Sequence, residues 1–362
     1  MALRARSFRF LWVMALLIQA FPLGHSSAAT ARGDSSARDG NVVSFATLSF
    51  SAPLGLISEM MRRDVILARA LQSRGKVLQV ETFLKGQDMG PAMSKGEIDI
   101  ALTGDMPALV MAMESDIIIA GLAKLGSGGI VSRKRYGTLS ELRGKRIGVP
   151  QGSNVYYGLL IALETAGMGE SDIVVVFMEP NELIPALIDK KIEAMSIWPP
   201  VLDSALHDHP DLVVLQRFLN SSYIILRRSF AEQQPEITTL VLAAYLRALR
   251  WMKDDPGHLQ RAAGWTKERV ERFQKHPFAS LELICATTER DILAYAANPS
   301  IPPGDFVEGG QIHKLVTFLQ MKGKLPAATA WPRLQKSLDR HLVRGILAQP
   351  EKYLLNTYDY GQ

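Results

Sequence analysis

From Val42 onward, short apolar runs alternate with stretches of helical period. The runs predict strands at residues 42–47, 77–83, 98–102, 117–120, 146–149, 173–177, 194–197 and 212–215, with shorter ones at 130–132 and 223–226. Between them, apolar residues return every three or four positions. Leu159, Leu160, Leu163 and Ala166 share one such face, which Gly167 ends. The strand runs are rich in Ile and Val and do not alternate strictly with polar residues. That is the pattern of parallel sheets covered by helices on both faces, so the fold class is α/β. A long helix should begin near Pro235, with Ile237, Leu240, Val241, Ala244, Tyr245, Ala248, Trp251 and Met252 on its apolar face. The C-terminal third is expected to be mostly helical and to pack back on the first part of the chain.

The pattern repeats. Val80–Phe83 aligns with Val174–Phe177, Pro91-Ala-Met93 with Pro185-Ala-Leu187, and Ile98-Asp99 with Ile192-Glu193, all at an offset of 94. A β–α–β unit kept in register twice predicts two similar lobes. The expected division is lobe 1 at residues 42–134 and 221–325, lobe 2 at 135–220, and a helical C-terminal extension at 326–362. Open α/β lobes bind ligands beyond the carboxyl ends of their strands, so two facing lobes would hold a ligand in the cleft between them.

Three loops should line that cleft. Thr103-Gly-Asp-Met-Pro107 opens a helix, with Asp105 as its expected cap, and Pro150-Gln-Gly-Ser-Asn154 opens another. Free N–H groups at these helix starts suit an oxyanion; Gly152 would let it approach the backbone and Ser153 would donate a hydroxyl. Trp198, followed by Pro199 and Pro200, offers an apolar wall. A ligand-facing Asp105 would instead favour an amine. Gly104, Asp105, Met106, Gly152, Ser153, Asn154 and Trp198 are the candidates, with Ser51 from the loop at 48–53.

Composition narrows the function. The 362 residues are 47% hydrophobic and 21% charged, which excludes disorder and a polytopic membrane protein. The net charge of +5 includes Arg4, Arg6 and Arg9, which precede an apolar run at residues 10–21 and small residues ending at Ala29 and Ala31. This order predicts a cleavable signal peptide at 1–31, too short in its apolar run to span a bilayer, followed by a disordered linker at 32–41. Without the leader the charge is only +2, so nucleic acid is not an expected partner. A single cysteine, Cys285, permits no internal disulfide and suits a bacterial periplasm.

Enzyme motifs are thin. His207-Asp-His209 lacks a third metal ligand and should be a solvated junction. Cys285 sits in what reads as a buried helix face. Gly126-Ser-Gly-Gly129 lacks the lysine of a phosphate loop and reads as a connection between lobes.

Three blocks resemble the periplasmic substrate-binding proteins of ABC importers, in the nitrate, taurine and aliphatic-sulfonate group. They are Lys95-Gly-Glu-Ile-Asp-Ile100 with Gly104-Asp-Met-Pro107, Leu142-Arg-Gly-Lys-Arg-Ile-Gly-Val-Pro-Gln-Gly-Ser153, and Ile192-Glu-Ala-Met-Ser-Ile-Trp198. Tyr223–Ser229 resembles the strand that returns to the first lobe. The resemblance covers roughly residues 42–253. It implies a two-lobed type II binding-protein fold, a small organic anion as ligand, a membrane permease as partner, a monomer, and neither cofactor nor catalysis. It maps Gly104, Asp105, Gly152, Ser153, Asn154 and Trp198 onto binding positions. Pro199 departs from the acidic residue many members carry there, and the loop at 48–53 lacks a ligand signature. The alternatives are an enzyme of the thiamine-pyrimidine-synthase type, which resembles these proteins but needs a histidine- and cysteine-rich centre, and a ligand-sensing subunit of a membrane signalling system.

Overall fold

The computed structural model describes residues 40–49, 51–275, 278–326 and 330–361. The expected signal peptide and nearly all of the linker lie outside them. The first half runs β1 (Val42–Leu48), α1 (Ala52–Arg63), α2 (Val65–Gln72), β2 (Val77–Phe83), α3 (Met89–Ser94), β3 (Ile100–Gly104) and α4 (Asp105–Glu114). After the long β4 (Ile117–Arg133), the order recurs as β5 (Arg146–Val149), α5 (Asn154–Thr165), β6 (Val174–Phe177), α6 (Leu183–Ile188), β7 (Ala194–Ile197) and α7 (Val201–Asp208). A second long strand, β8 (Leu212–Arg227), leads into α8 (Arg228–Gln233), α9 (Pro235–Asp254), α10 (Pro256–Gln274), α11 (Leu281–Asp291), α12 (Gln311–Met321), α13 (Ala330–Ser337) and α14 (Leu342–Leu347).

All eight strands form one sheet, in the order β2-β1-β3-β8-β4-β7-β5-β6. Within it the repeat is visible. β1 pairs in parallel with β2 and β3, and β5 in the same way with β6 and β7. Each trio is then extended by an antiparallel strand, β8 beside β3 and β4 beside β7.

Here the structure corrects the sequence reading. The predicted strands at 117–120 and 130–132 are the two ends of β4, and those at 212–215 and 223–226 are the ends of β8. The two long strands pair from Ile117–Arg227 to Arg133–Leu212 and weld the half-sheets together. Their middles hold glycine and polar residues, which read as loop because they lack an apolar run. The mutual ladder nevertheless satisfies their backbone groups. Gly126-Ser-Gly-Gly129 is therefore part of a continuous strand, β4. Its glycines admit close neighbours: a Cβ on Gly128 would lie 2.4 Å from Phe218 and one on Gly129 2.7 Å from Leu202.

Successive strand residues face opposite sides, and both sides are buried. Phe45 joins the core beneath α1, α9 and α10, while Ala46 joins the second core with Met106, Leu159 and Trp198. The predicted face of α9 is buried as its period requires, except at half-buried Leu240. Tyr245 on that face donates to the Leu122 carbonyl at 2.7 Å. At the helix's middle, Arg247 forms a buried pair with Asp64, Nη2 to Oδ2 at 2.7 Å.

The C-terminal segment does not confine itself to the first half, as the pattern had suggested. It leaves β4 at the Leu122 N–H to Pro299 carbonyl bond. Lys322 and Lys324, just past α12, then reach Glu164 and Glu170 of the second half, each at 3.3 Å. Arg333 on α13 returns to the Ala112 carbonyl at 2.8 Å. No helix among the described residues is long and apolar enough to cross a membrane.

Candidate functional site

The starts of the helices that follow β3 and β5 lie close together. A Cβ on Gly104, which precedes α4, would lie 3.1 Å from Nδ2 of Asn154, the first residue of α5. Gly152, in the loop before α5, has φ +62°, and a Cβ there would lie 1.8 Å from Gln87 Oε1. Only glycine combines that left-handed backbone with that contact. Ion pairs also join distant segments: Lys85 Nζ with Glu179 Oε1 at 2.8 Å, and Arg290 on α11 with Asp203 on α7 at 3.7 Å.

Asp105 is not the cap the sequence suggested. Gly104 occupies the cap position and Asp105 is the first residue of α4. Its carboxylate turns back into the protein, accepting from Met106 N–H at 2.7 Å and from Ser221 N–H on β8 at 2.8 Å. Burial pushes its pKa up to about 6, against the pull of those two donors and of Lys124. Lys124, on β4, is itself buried, with Nζ 3.3 Å from Asn220 Oδ1 and 3.7 Å from Asp291 Oδ2. Burial lowers its pKa and Asp291 opposes the shift. Met106 is fully buried. Tyr223, opposite Thr103 in the ladder, meets the ring of Phe306 edge-on at 5.9 Å.

Ser153 caps α5, accepting from Tyr156 N–H at 3.2 Å, and its hydroxyl donates to the Pro150 carbonyl at 2.7 Å. The proton expected to reach a ligand is thus engaged, and what remains there is the helix start itself. Trp198 is 9% exposed, at the end of β7, and Ser51 is buried at the N-cap of α1 without capping it through its side chain.

Lys85, Gln87, Lys124, Asn220, Ser221 and Glu179 escaped the sequence reading. Lys85 and Glu179 differ by 94, the offset of the repeat, so the alignment could have found them. Lys124 is the lone charge in the long apolar and glycine run of residues 117–132, which was also a usable signal.

The chemistry for catalysis is sparse. Cys285 is half-buried rather than buried, with Ile284, Thr287 and Thr288 taking the inward positions of α11. Burial, then Glu289 and Glu282, raise its thiol pKa, the opposite of an activated nucleophile. His207 lies in the last turn of α7 and His209 is its C-cap. Among the described residues no three His, Cys, Asp or Glu side chains gather as a metal site would need.

The comparisons with known proteins agree with this architecture. The chain is 28% identical over 171 residues to the taurine-binding periplasmic protein of Escherichia coli K12, which is 45% of this chain and 53% of that one. It spans about half the length of the curated relatives it matches. In fold it resembles the periplasmic aliphatic sulphonate binding protein SsuA of Escherichia coli, with a TM-score of 0.61 and 18% identity over 82% of this chain and 92% of that one. It also resembles the periplasmic nitrate-binding protein NrtA of Synechocystis PCC 6803, with a TM-score of 0.61 and 13% identity over 86% and 89%. The sequence profile described as NMT1/THI5 like matches residues 78–258, half of the chain, and with the doubled β–α–β architecture the protein belongs to the NMT1/THI5-like family.

Proposed function

We propose that this protein is the solute-binding component of an ABC import system, exported to the periplasm by its N-terminal leader. It takes a small organic anion of the sulfonate, taurine or nitrate type and passes it as a monomer to a membrane permease. Residues 42–134 with 221–325 act as one lobe and 135–220 as the other, with 326–362 as an extension. The relatives and fold neighbours named above carry ligands of this class in their names. The observation that carries the reading is the meeting of Gly104 and Asn154, which brings the starts of α4 and α5 to one place from opposite halves. The positive end of α5 favours an oxyanion there, whereas at the start of α4 the Met106 N–H is taken by Asp105 and Pro107 has none. Asp105, already holding two N–H donors, is not left to attract an ammonium group. Ligand contacts made from both halves at once would stabilise the closed form, a population shift needing no covalent step.

The test is a thermal-shift series with taurine, short alkanesulfonates and nitrate against cationic amines of the same size. A ligand at 100 times its Kd should add about 2.7 kcal/mol of stability. Stabilisation by the amines alone would reject the anion reading.

A further inference from the structure

A cavity of about 290 Å³ lies between α1 and α10, beside the ends of β1 and β2. Every residue lining it comes from β1, β2, α1 or α10 or from Ser49 after β1, so an occupant would not need the two halves to close. Its charge is unbalanced. Arg269 Nε donates to Glu59 Oε2, Arg63 Nε donates to Oε1 at 2.9 Å, and Arg62 Nε stands 3.8 Å from Oε2 without a hydrogen bond. Three guanidinium groups thus share one buried carboxylate. Burial and the neighbouring Arg269 pull the pKa of Arg62 down to about 10, so its charge is held at a cost.

The wall also holds polar atoms without partners. Thr47 Oγ1 and Ser49 Oγ are buried and unbonded, and each residue is 3% exposed. Folded proteins rarely leave such groups unsatisfied unless something else completes them. Val270 and Phe273 give the same cavity an apolar side. We propose that it binds a small organic anion, with a carboxylate or sulfonate head at Arg62, Thr47 and Ser49 and a short apolar tail along Val270 and Phe273. This site is separate from the one at Gly104 and Asn154 and does not rest on the function proposed above.

The probe is butanesulfonate, titrated into the whole protein while backbone amide shifts are followed. Saturable shifts at Gly55, Ser58, Thr266 and Val270 are expected. Arg62→Gln should weaken them about tenfold or more, the effect of losing a hydrogen bond to a charged group. Thr47→Val, equal in shape, should raise the melting temperature of the free protein by deleting an unpaired hydroxyl, yet weaken butanesulfonate binding. A purely structural hydroxyl would move only the first of these. Shifts confined to residues around Gly104 and Asn154 would overturn this site and leave the proposed function standing. A folded Arg62→Gln protein that binds as tightly as the parent, or no saturable shift at the four amides, would also overturn it.

Discussion

Lys85 and Glu179 occupy the same place in two copies of one motif, and their side chains meet at 2.8 Å. Each stands two residues beyond the end of its strand, β2 or β6, and they are 94 positions apart. Equivalent positions in two facing units can touch only near the approximate two-fold axis that relates them, as in a symmetric dimer interface. Identical charges would repel at such a place. Here the two positions carry opposite charges.

That pair should bias closure more than folding. Both side chains are partly exposed, so their contribution to stability is at most about 1 kcal/mol. Lys85→Glu should place two carboxylates across the gap and favour an open form, seen as a larger radius of gyration in small-angle scattering. Adding Glu179→Lys should restore the parent value. Equal scattering from all three proteins would show that the pair does not govern closure.

Ser153→Ala should cost about 1 kcal/mol of stability through the lost cap. Since the hydroxyl donates to Pro150, the affinity for a sulfonate should stay at its parent value. Denaturant unfolding and calorimetric titration with taurine separate the two. A loss of affinity with stability intact would return Ser153 to the ligand.

Asp105 should make stability fall with rising pH. Its folded pKa of about 6 lies above its ordinary 3.8, so between those values the native state holds a proton that the unfolded chain has released. The stabilising contribution is full below about pH 4 and lost as pH rises through about 6, amounting to about 3 kcal/mol for two pKa units. Asp105→Asn should remove this term. The stability difference between parent and variant, followed by denaturant midpoints from pH 4 to pH 7, should shift in the variant's favour; a constant difference would contradict the assignment.

Arg247→Met should be among the most damaging single changes. Arg247 holds Asp64 through two nitrogens, at 2.9 and 2.7 Å, and also donates to the Tyr353 carbonyl. Removing one partner leaves a buried carboxylate unpaired, which costs about 3–5 kcal/mol. Asp64→Asn/Arg247→Met should recover part of the loss in equilibrium unfolding, because the buried charge is gone and Asn can still cap α2.

How much of this was legible in the sequence differs by scale. The α/β class follows from apolar strand runs separated by stretches of helical period, the repeat from matching residues at a constant offset of 94, and the buried face of α9 from a period of three to four residues. The loops at the ends of β3, β5 and β7 were legible for the same reason: each follows an apolar run and opens a helical one. The continuity of β4 and β8 was not, because their glycine and polar middles lack an apolar period and are stabilised only by pairing with each other.

What surrounds Asp105 and Lys124 was decided by the tertiary structure alone. Asp105 finds its donor Ser221 at a separation of 116 residues, and Arg247 its carboxylate at 183. Hydrogen-bond partners and desolvation depend on which distant segments arrive together, and no local pattern carries that information. The sequence by itself determined that two β–α–β units would form and where their loops would lie. The tertiary structure decided which side chains those loops bring into contact, because contact and burial are properties of the packed chain rather than of any one stretch of it.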